Sequence, residues 1–189
     1  MLQYTVFLGA VAQLIGIFFY IKETVQGKTK PNKVTWLMWS VAPLIASAAG
    51  LADGVRWAVF PVFMAGFAPL LVFIASFVNP KSYWRLETFD YICGLCSISA
   101  LILWRITKEP LIAIFFSIAS DGFAAIPTLV KSWRHPETET IDAYTTGLFN
   151  ATTSFFAIKN WGISAIAFPI YLVFINSSLI FSITKNKHR

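Results

Sequence analysis

Asp121 is the residue of this chain whose type and position carry the most chemistry. It lies near the middle of an apolar stretch, in Ala119-Ser120-Asp121-Gly122, six residues before Pro127. An ionised carboxylate at the centre of a bilayer costs roughly 2.5–3.5 kcal/mol or more, so such a group usually faces a cavity or a partner. We therefore expect Asp121 either to contact a solute and carry protons, or to bond a neighbouring helix in its protonated form.

Three amides interrupt other apolar stretches. Asn176 lies in the middle of the last stretch, Asn150 precedes Thr152 and Thr153 in the stretch before it, and Gln13 lies in the first stretch. Inside a membrane an amide must find a hydrogen-bond partner, which can be a solute or another helix. Both interpretations stay open for each of these amides.

Trp36 and Trp39 are three positions apart, so they share one face of a helix. They predict either stacking on a ring-shaped solute or a place in the aromatic belt of the membrane interface. The predicted solute-binding residues are thus Asp121, Asn176, Asn150, Gln13 and Trp36, and Asp121 is also the candidate for proton coupling.

The remaining polar residues predict no enzyme, no cofactor and no metal site. Cys93 and Cys96 form a C-x-x-C pattern, but no histidine or second cysteine pair accompanies them. We interpret them as small buried residues, with metal or redox chemistry as the alternative. Glu137 and Glu139 are interpreted as ordinary loop charges.

The elements that must position these residues are long apolar segments. The chain is 57% hydrophobic and 13% charged, and a membrane-spanning helix needs about 20 mostly apolar residues. We therefore predict an all-α membrane protein with seven transmembrane helices. The predicted spans are Leu2–Glu23, Lys33–Asp53, Val55–Val78, Leu86–Ile106, Pro110–Trp133, Thr140–Lys159 and Gly162–Ile183.

The basic residues predict how these spans are oriented. If every span crosses once, 11 of the 15 Lys and Arg residues fall on one side, which favours the cytoplasm for that side. We expect a multi-pass protein of the cell (inner) membrane, with its N-terminus outside and its C-terminus in the cytoplasm. The expected partners are the lipid bilayer and a small-molecule solute but no nucleic acid, and homo-oligomer formation is left open.

The chain also repeats itself weakly. Phe60-Pro61-Val62-Phe63 matches Phe168-Pro169-Ile170-Tyr171 at an offset of 108 residues, and Trp36 meets Tyr144 at the same offset. This predicts a first three-helix bundle over 1–79, a linker helix over 80–109 and a second three-helix bundle over 110–189. In transporters built from such parallel repeats, the solute is commonly held near the midplane between the repeats.

The three-plus-one-plus-three order and the short loops resemble the SWEET sugar transporters and their PQ-loop relatives. The nearest motif runs from Ile126 to Trp133, with Pro127-Thr128 where the family has Pro-Gln. The resemblance implies alternating access for a small polar solute that is sugar-like, an amino acid or a vitamin, by facilitated diffusion or proton coupling. It also implies that Asn176 bonds a solute hydroxyl, that Asp121 carries protons, and that Pro43 and Pro127 act as hinges.

Two alternatives to transport remain. The same architecture serves the KDEL receptor, so a membrane receptor or sorting protein is one of them. An assembly protein without a solute path is the other. A cavity that reaches Asp121 would argue against the assembly protein, and a dry, tightly packed interior would favour it.

Overall fold

A computed structural model describes residues 5–52, 60–107, 110–158 and 161–186, and every regular element within those ranges is helical. The prediction of an all-α protein is confirmed for this part of the chain, and a helix lies in each of the seven predicted stretches. The helices are α1 (Thr5–Val25), α2 (Lys33–Ala52), α3 (Phe60–Ala75), α4 (Thr88–Ile106), α5 (Pro110–Arg134), α6 (Asp142–Ser154) and α7 (Ile163–Asn186).

Four of these helices are long and apolar enough to cross a bilayer. Within the described residues, the candidate spans are Thr5–Val25, Thr88–Ile106, Ile114–Arg134 and Ile166–Lys185. The chain is therefore a membrane protein. The predicted starts of the first and third spans, at Leu2 and Val55, lie outside the described residues.

The sixth helix is shorter than predicted. The apolar pattern predicts a span over Thr140–Lys159, whereas α6 covers Asp142–Ser154 and is followed by a single 3-10 turn over Phe155–Ala157. Threonine hydroxyls of α6 bond to the preceding turn of the helix, as when the Thr152 hydroxyl donates to Leu148 O at 2.8 Å. A helix of this composition is stabilised by its neighbours α1 and α7, so its length is not set by apolarity alone.

The helices pack in a regular order of neighbours. α3 contacts both α1 and α2, and α7 contacts both α5 and α6. Across these two groups, α1 packs along α6, and α2 packs along α5. α4 lies mainly against α5 and also touches α2. The core forms where the six helices other than α4 meet, around Tyr20, Trp36, Val72, Tyr144 and Leu179.

Glycines allow α1 to approach α6 closely. A Cβ atom on Gly9 would lie 2.6 Å from Asn150 Oδ1, and a Cβ atom on Gly16 would lie 2.7 Å from the carbonyl oxygen of Asp142. No ordinary side chain fits at such distances without a shift of the neighbour. Small residues at the interface are a usual means of packing helices in membranes, where van der Waals contact drives association.

Three loops meet at one end of the bundle. The Asn79 amide donates to Val25 O at 2.8 Å, and the Lys30 backbone N–H donates to Thr138 O at 2.9 Å. These bonds join the loops 26–32, 76–87 and 135–141, which we call the basic end because most of the chain's Lys and Arg residues lie in or beside them. Helices α1, α3 and α5 end there, and α2, α4 and α6 begin there. The loop charges Arg56, Lys108 and Lys159, predicted for the opposite end, lie outside the described residues.

Candidate binding cavity

All five predicted solute-binding residues line one cavity. It encloses about 170 Å³ between α1, α2, α3, α5, α6 and α7. The site residues on its wall are Gln13, Trp36, Asp121, Asn150 and Asn176. The structure thus brings together residues that are up to 163 positions apart in the sequence. Their role as solute contacts stays a prediction.

Asp121 is the charged member of this group. The Tyr171 hydroxyl of α7 donates to its Oδ2 at 2.5 Å, and Trp39 Nε1 of α2 donates to its backbone oxygen at 3.4 Å. The carboxylate is only partly buried and lies on the cavity wall. Asp121 therefore bonds a neighbouring helix and faces a cavity at once, so the two interpretations of this residue do not exclude each other.

The amides find partners within the protein. Asn150 Nδ2 donates to Gln13 Oε1 at 2.6 Å, which links α6 to α1. Asn176 Nδ2 donates to the Leu172 carbonyl of its own helix at 2.8 Å. A Cβ atom on Gly147 would lie 2.7 Å from Asn176 Oδ1, so this glycine leaves the space that the Asn176 amide occupies.

Aromatic rings form much of the remaining wall. Trp36 and Trp39 meet edge to face, with ring centroids 5.3 Å apart and planes inclined by 84°. Tyr144 and Phe168 also line the cavity. The aromatic-belt interpretation is wrong for Trp36, because its side chain packs on Tyr20 in the core and is only 2% exposed.

The predicted hinge prolines lie in different surroundings. Pro43, inside α2, lines the cavity. Pro127, inside α5, is buried, and the following Thr128 donates its hydroxyl to Thr35 Oγ1 at 2.9 Å. The position that resembles the Gln of the PQ motif therefore bonds α5 to α2. The hinge role of both prolines stays a prediction.

Sequence reasoning missed a buried ionic group next to the cavity. Glu139 is paired with Lys131, and the two side chains are 0% and 1% exposed. Glu139 Oε2 also accepts the Tyr20 hydroxyl at 2.9 Å and the Tyr144 hydroxyl at 2.8 Å. The interpretation of Glu139 as an ordinary loop charge is wrong. We call Tyr20, Lys131, Glu139 and Tyr144 the Glu139 network.

The Glu139 network closes the cavity toward the basic end. Tyr144 belongs to the network and also lines the cavity, and Tyr20 packs against the cavity residue Trp36 with ring centroids 4.8 Å apart. No periodic pattern in the sequence marks this network. A glutamate in a loop between two helices is usually solvated, so the position of Glu139 gives no reason to expect its burial. The one signal in the sequence is a pair of tyrosines, Tyr20 near the end of α1 and Tyr144 near the start of α6, each close to a loop of the basic end.

On the opposite side of the first cavity lies a second one of about 370 Å³ between α1, α3 and α6. Gln13, Ala65 and Asn150 line both cavities. The Gln13–Asn150 hydrogen bond therefore lies at the boundary between the two spaces. The first cavity thus has a closed side toward the basic end and a polar boundary away from it.

Cys93 and Cys96 are free thiols on α4, and neither lines the first cavity. The described residues contain no group of three or more His, Cys, Asp and Glu side chains that could hold a metal ion.

No family model, curated protein or solved structure matches the chain. The resemblance to the SWEET and PQ-loop transporters therefore stays a prediction, and the argument for function rests on the geometry of the cavity.

Proposed function

We propose that this protein moves a small polar solute across the membrane by alternating access. The observation that carries the proposal is the cavity of about 170 Å³, whose wall includes Asp121 and the amides of Gln13, Asn150 and Asn176. Ionisable residues inside a membrane bundle are rare, and they commonly mark a substrate, ion or proton pathway.

The proposed architecture is two three-helix bundles joined by α4, with all seven helices crossing the membrane. The order of helix neighbours supports it. A two-fold axis that carries α1, α2 and α3 onto α5, α6 and α7 would turn the α1–α6 contact into an α5–α2 contact, and both contacts exist. It would also place α3 and α7 equivalently, each between the other two helices of its bundle. Parallel repeats of this kind hold solutes between the bundles.

Alternating access requires the closed side of the cavity to open. In the proposed cycle, α6 separates from α1 at the basic end, which breaks the bonds of Glu139 to Tyr20 and Tyr144. Pro43 and Pro127 each remove one backbone hydrogen bond inside a helix, which lowers the cost of bending there. The conformation described above is then the state closed toward the basic end.

Proton coupling through Asp121 is part of the proposal. A carboxyl group on the cavity wall can bind a proton in one state and release it in the other, and Tyr171 is the titratable side chain bonded to it. Asp121→Asn keeps the shape and removes the proton site. In vesicles under a pH gradient, we expect this variant to lose solute accumulation. Unchanged accumulation would reject the coupling and leave facilitated diffusion.

The cavity distinguishes the proposal from its two rivals. An assembly protein gains nothing from a polar space in its core, whereas a receptor needs the space but passes nothing through it. The deciding experiment measures solute flux into vesicles that contain the purified protein, with a panel of small cations, sugars and amino acids. We expect flux of at least one class above that of protein-free vesicles, and binding without any flux would favour a receptor.

A further inference from the structure

We infer that the solute is a small organic monocation without a carboxylate group, paired with Asp121 and enclosed by aromatic rings. This inference rests on the proposed function and narrows it. It departs from the sugar-like and amino-acid solutes that the family resemblance implies.

The charge on the cavity wall is the first argument. Among the described residues that line the cavity, Asp121 is the one charged side chain, and no Lys, Arg or His accompanies it. Tyr171 donates a hydrogen bond to the carboxylate at 2.5 Å but brings no positive charge. A carboxylate that faces a cavity inside the bundle without a counter-charge is unfavourable. A cationic solute would supply the missing charge.

A cation on the same helix as Asp121 is already paired with another carboxylate. Lys131 lies on α5 like Asp121, but its ammonium group pairs with Glu139 and donates to Lys30 O. It is also buried in the Glu139 network, on the far side of Tyr144 from the cavity. Lys131 therefore neutralises Glu139 and is not available to Asp121.

The aromatic wall is the second argument. Trp36, Trp39, Tyr144 and Phe168 all line the cavity, and the two tryptophan rings form adjoining walls inclined by 84°. A cation over an aromatic ring is attracted by the negative face of the ring, more strongly when the pair is desolvated, and tryptophan is the best partner. Enclosure by several rings is the usual means of recognising quaternary ammonium groups.

The rest of the cavity lining disfavours sugars and amino acids as solutes. Asn150 and Gln13 bond each other at 2.6 Å, and the Asn176 amide donates to Leu172 O at 2.8 Å. These bonds use part of the hydrogen-bonding capacity that the hydroxyl groups of a sugar would need. A zwitterion such as an amino acid would bring a carboxylate for which the described lining has no cation. The volume of about 170 Å³ fits a compact solute of the size of choline.

Four probes of related shape test this inference on the purified wild-type protein. Choline and N-methylpyridinium are small cations, 3,3-dimethylbutan-1-ol is the neutral counterpart of choline, and glycine betaine adds a carboxylate to the same trimethylammonium group. We expect at least one of the two cations to bind, as measured by tryptophan fluorescence and thermal shift. The neutral counterpart and glycine betaine should each bind about tenfold more weakly or worse, since an interaction of about 2 kcal/mol corresponds to more than tenfold in affinity.

A matched pair of carboxylate variants assigns the effect to Asp121. Asp121→Asn should remove cation binding, whereas Glu137→Gln, the same change at a side chain that is 68% exposed, should preserve it. If Asp121→Asn does not fold, the comparison of the four probes on the wild-type protein still decides. The inference is overturned if neither cation binds, or if 3,3-dimethylbutan-1-ol or glycine betaine binds as tightly as the tighter-binding of the two cations.

The vesicle assay separates this failure from failure of the proposed function. Flux of a sugar without binding of either cation would overturn the inference and leave the transporter proposal standing. Absence of flux for every class in the panel would remove both.

Discussion

Asp121 and Glu139 are both carboxylates enclosed by helices, yet their surroundings give them different tasks. Glu139 has an ammonium partner and two phenol donors, so its charge is compensated within the protein. Asp121 has one phenol donor and borders a cavity. The bonds of Glu139 stabilise the closed state, whereas the charge of Asp121 remains available to a solute that enters the cavity.

Loss of the Glu139 charge should therefore cost stability. Glu139→Gln leaves Lys131 buried and unpaired, which typically costs about 3–5 kcal/mol. We expect a large fall in the unfolding temperature of the purified protein. Glu137→Gln is the control, because Glu137 is 68% exposed and its ion-pair partner is the exposed His135, at 3.5 Å.

The double variant Lys131→Met with Glu139→Leu removes the unpaired ammonium and should recover part of the loss. The rest remains because the buried hydroxyls of Tyr20 and Tyr144 lose their acceptor. Equal stability of Glu139→Gln and Glu137→Gln would contradict the buried pair.

Gly147 should control the position of the Asn176 amide. In Gly147→Ala the new methyl group would lie 2.7 Å from Asn176 Oδ1 and would push that amide into the cavity. We expect solute binding to weaken by about tenfold, as a disturbed buried hydrogen bond costs about 1–3 kcal/mol. Gly162→Ala is the control, since a Cβ atom there meets nothing within 4 Å. Equal binding by both variants would place the solute away from Asn176.

The cavity residues could be predicted from the sequence, but the Glu139 network could not. Gln13, Asp121 and Asn176 stand out because each interrupts an apolar stretch, where a polar group is costly. Glu139 lies in a loop, where a charge needs no explanation. Glu139 is buried because Lys131, Tyr20 and Tyr144, which come from three different helices, contact it.

At the scale of the elements, close packing of α1 on α6 determines the shape of the cavity. These two helices provide Gln13 and Asn150, which bond across their interface, and Tyr20 and Tyr144, which bond Glu139. Glycines on α1 allow the approach. In the proposed cycle this interface opens at the basic end, so its packing sets both the stability of the closed state and the cost of leaving it.

A methyl group added to the α1–α6 interface should destabilise the bundle. Gly16→Ala would place a Cβ atom 2.7 Å from the carbonyl oxygen of Asp142, and relief of that contact requires a backbone shift. We expect a loss of about 1–3 kcal/mol, measured by unfolding in mixed detergent micelles. Gly122→Ala in α5 is the matched control, because its Cβ atom would meet the Tyr171 hydroxyl at an ordinary 3.7 Å. This control should be neutral or slightly stabilising, since alanine favours helix over glycine by about 1 kcal/mol.

The bounds of most helices can be predicted from apolarity, but which helices pack against each other cannot. In a membrane both the lipid-facing and the protein-facing sides of a helix are apolar. On α1, for example, Phe18 is 63% exposed and Tyr20 is 0% exposed, although both lie in one uninterrupted stretch. The pairing of α1 with α6 therefore could not be predicted from hydropathy. The apolar pattern also overestimates the length of α6. Polar residues of α6 are accommodated by neighbouring helices and by its own backbone, so apolarity does not mark where this helix ends.

At the scale of the whole molecule, the two groups of three helices enclose a space that is closed on one side. The Glu139 network closes it toward the basic end, and the Gln13–Asn150 bond lies at its boundary with the second cavity. A carrier must expose the same residues to each side of the membrane in turn.

Two-sided labelling of one cavity residue tests this account most directly. Ala143 lines the cavity and is 5% exposed, so Ala143→Cys, in a chain with Cys93→Ala and Cys96→Ser, places a single thiol there. We predict that a membrane-impermeant thiol reagent modifies it when added to either side of sealed vesicles, and that Glu139→Gln speeds modification from the basic end. Modification from one side only, or from neither, would contradict alternating access.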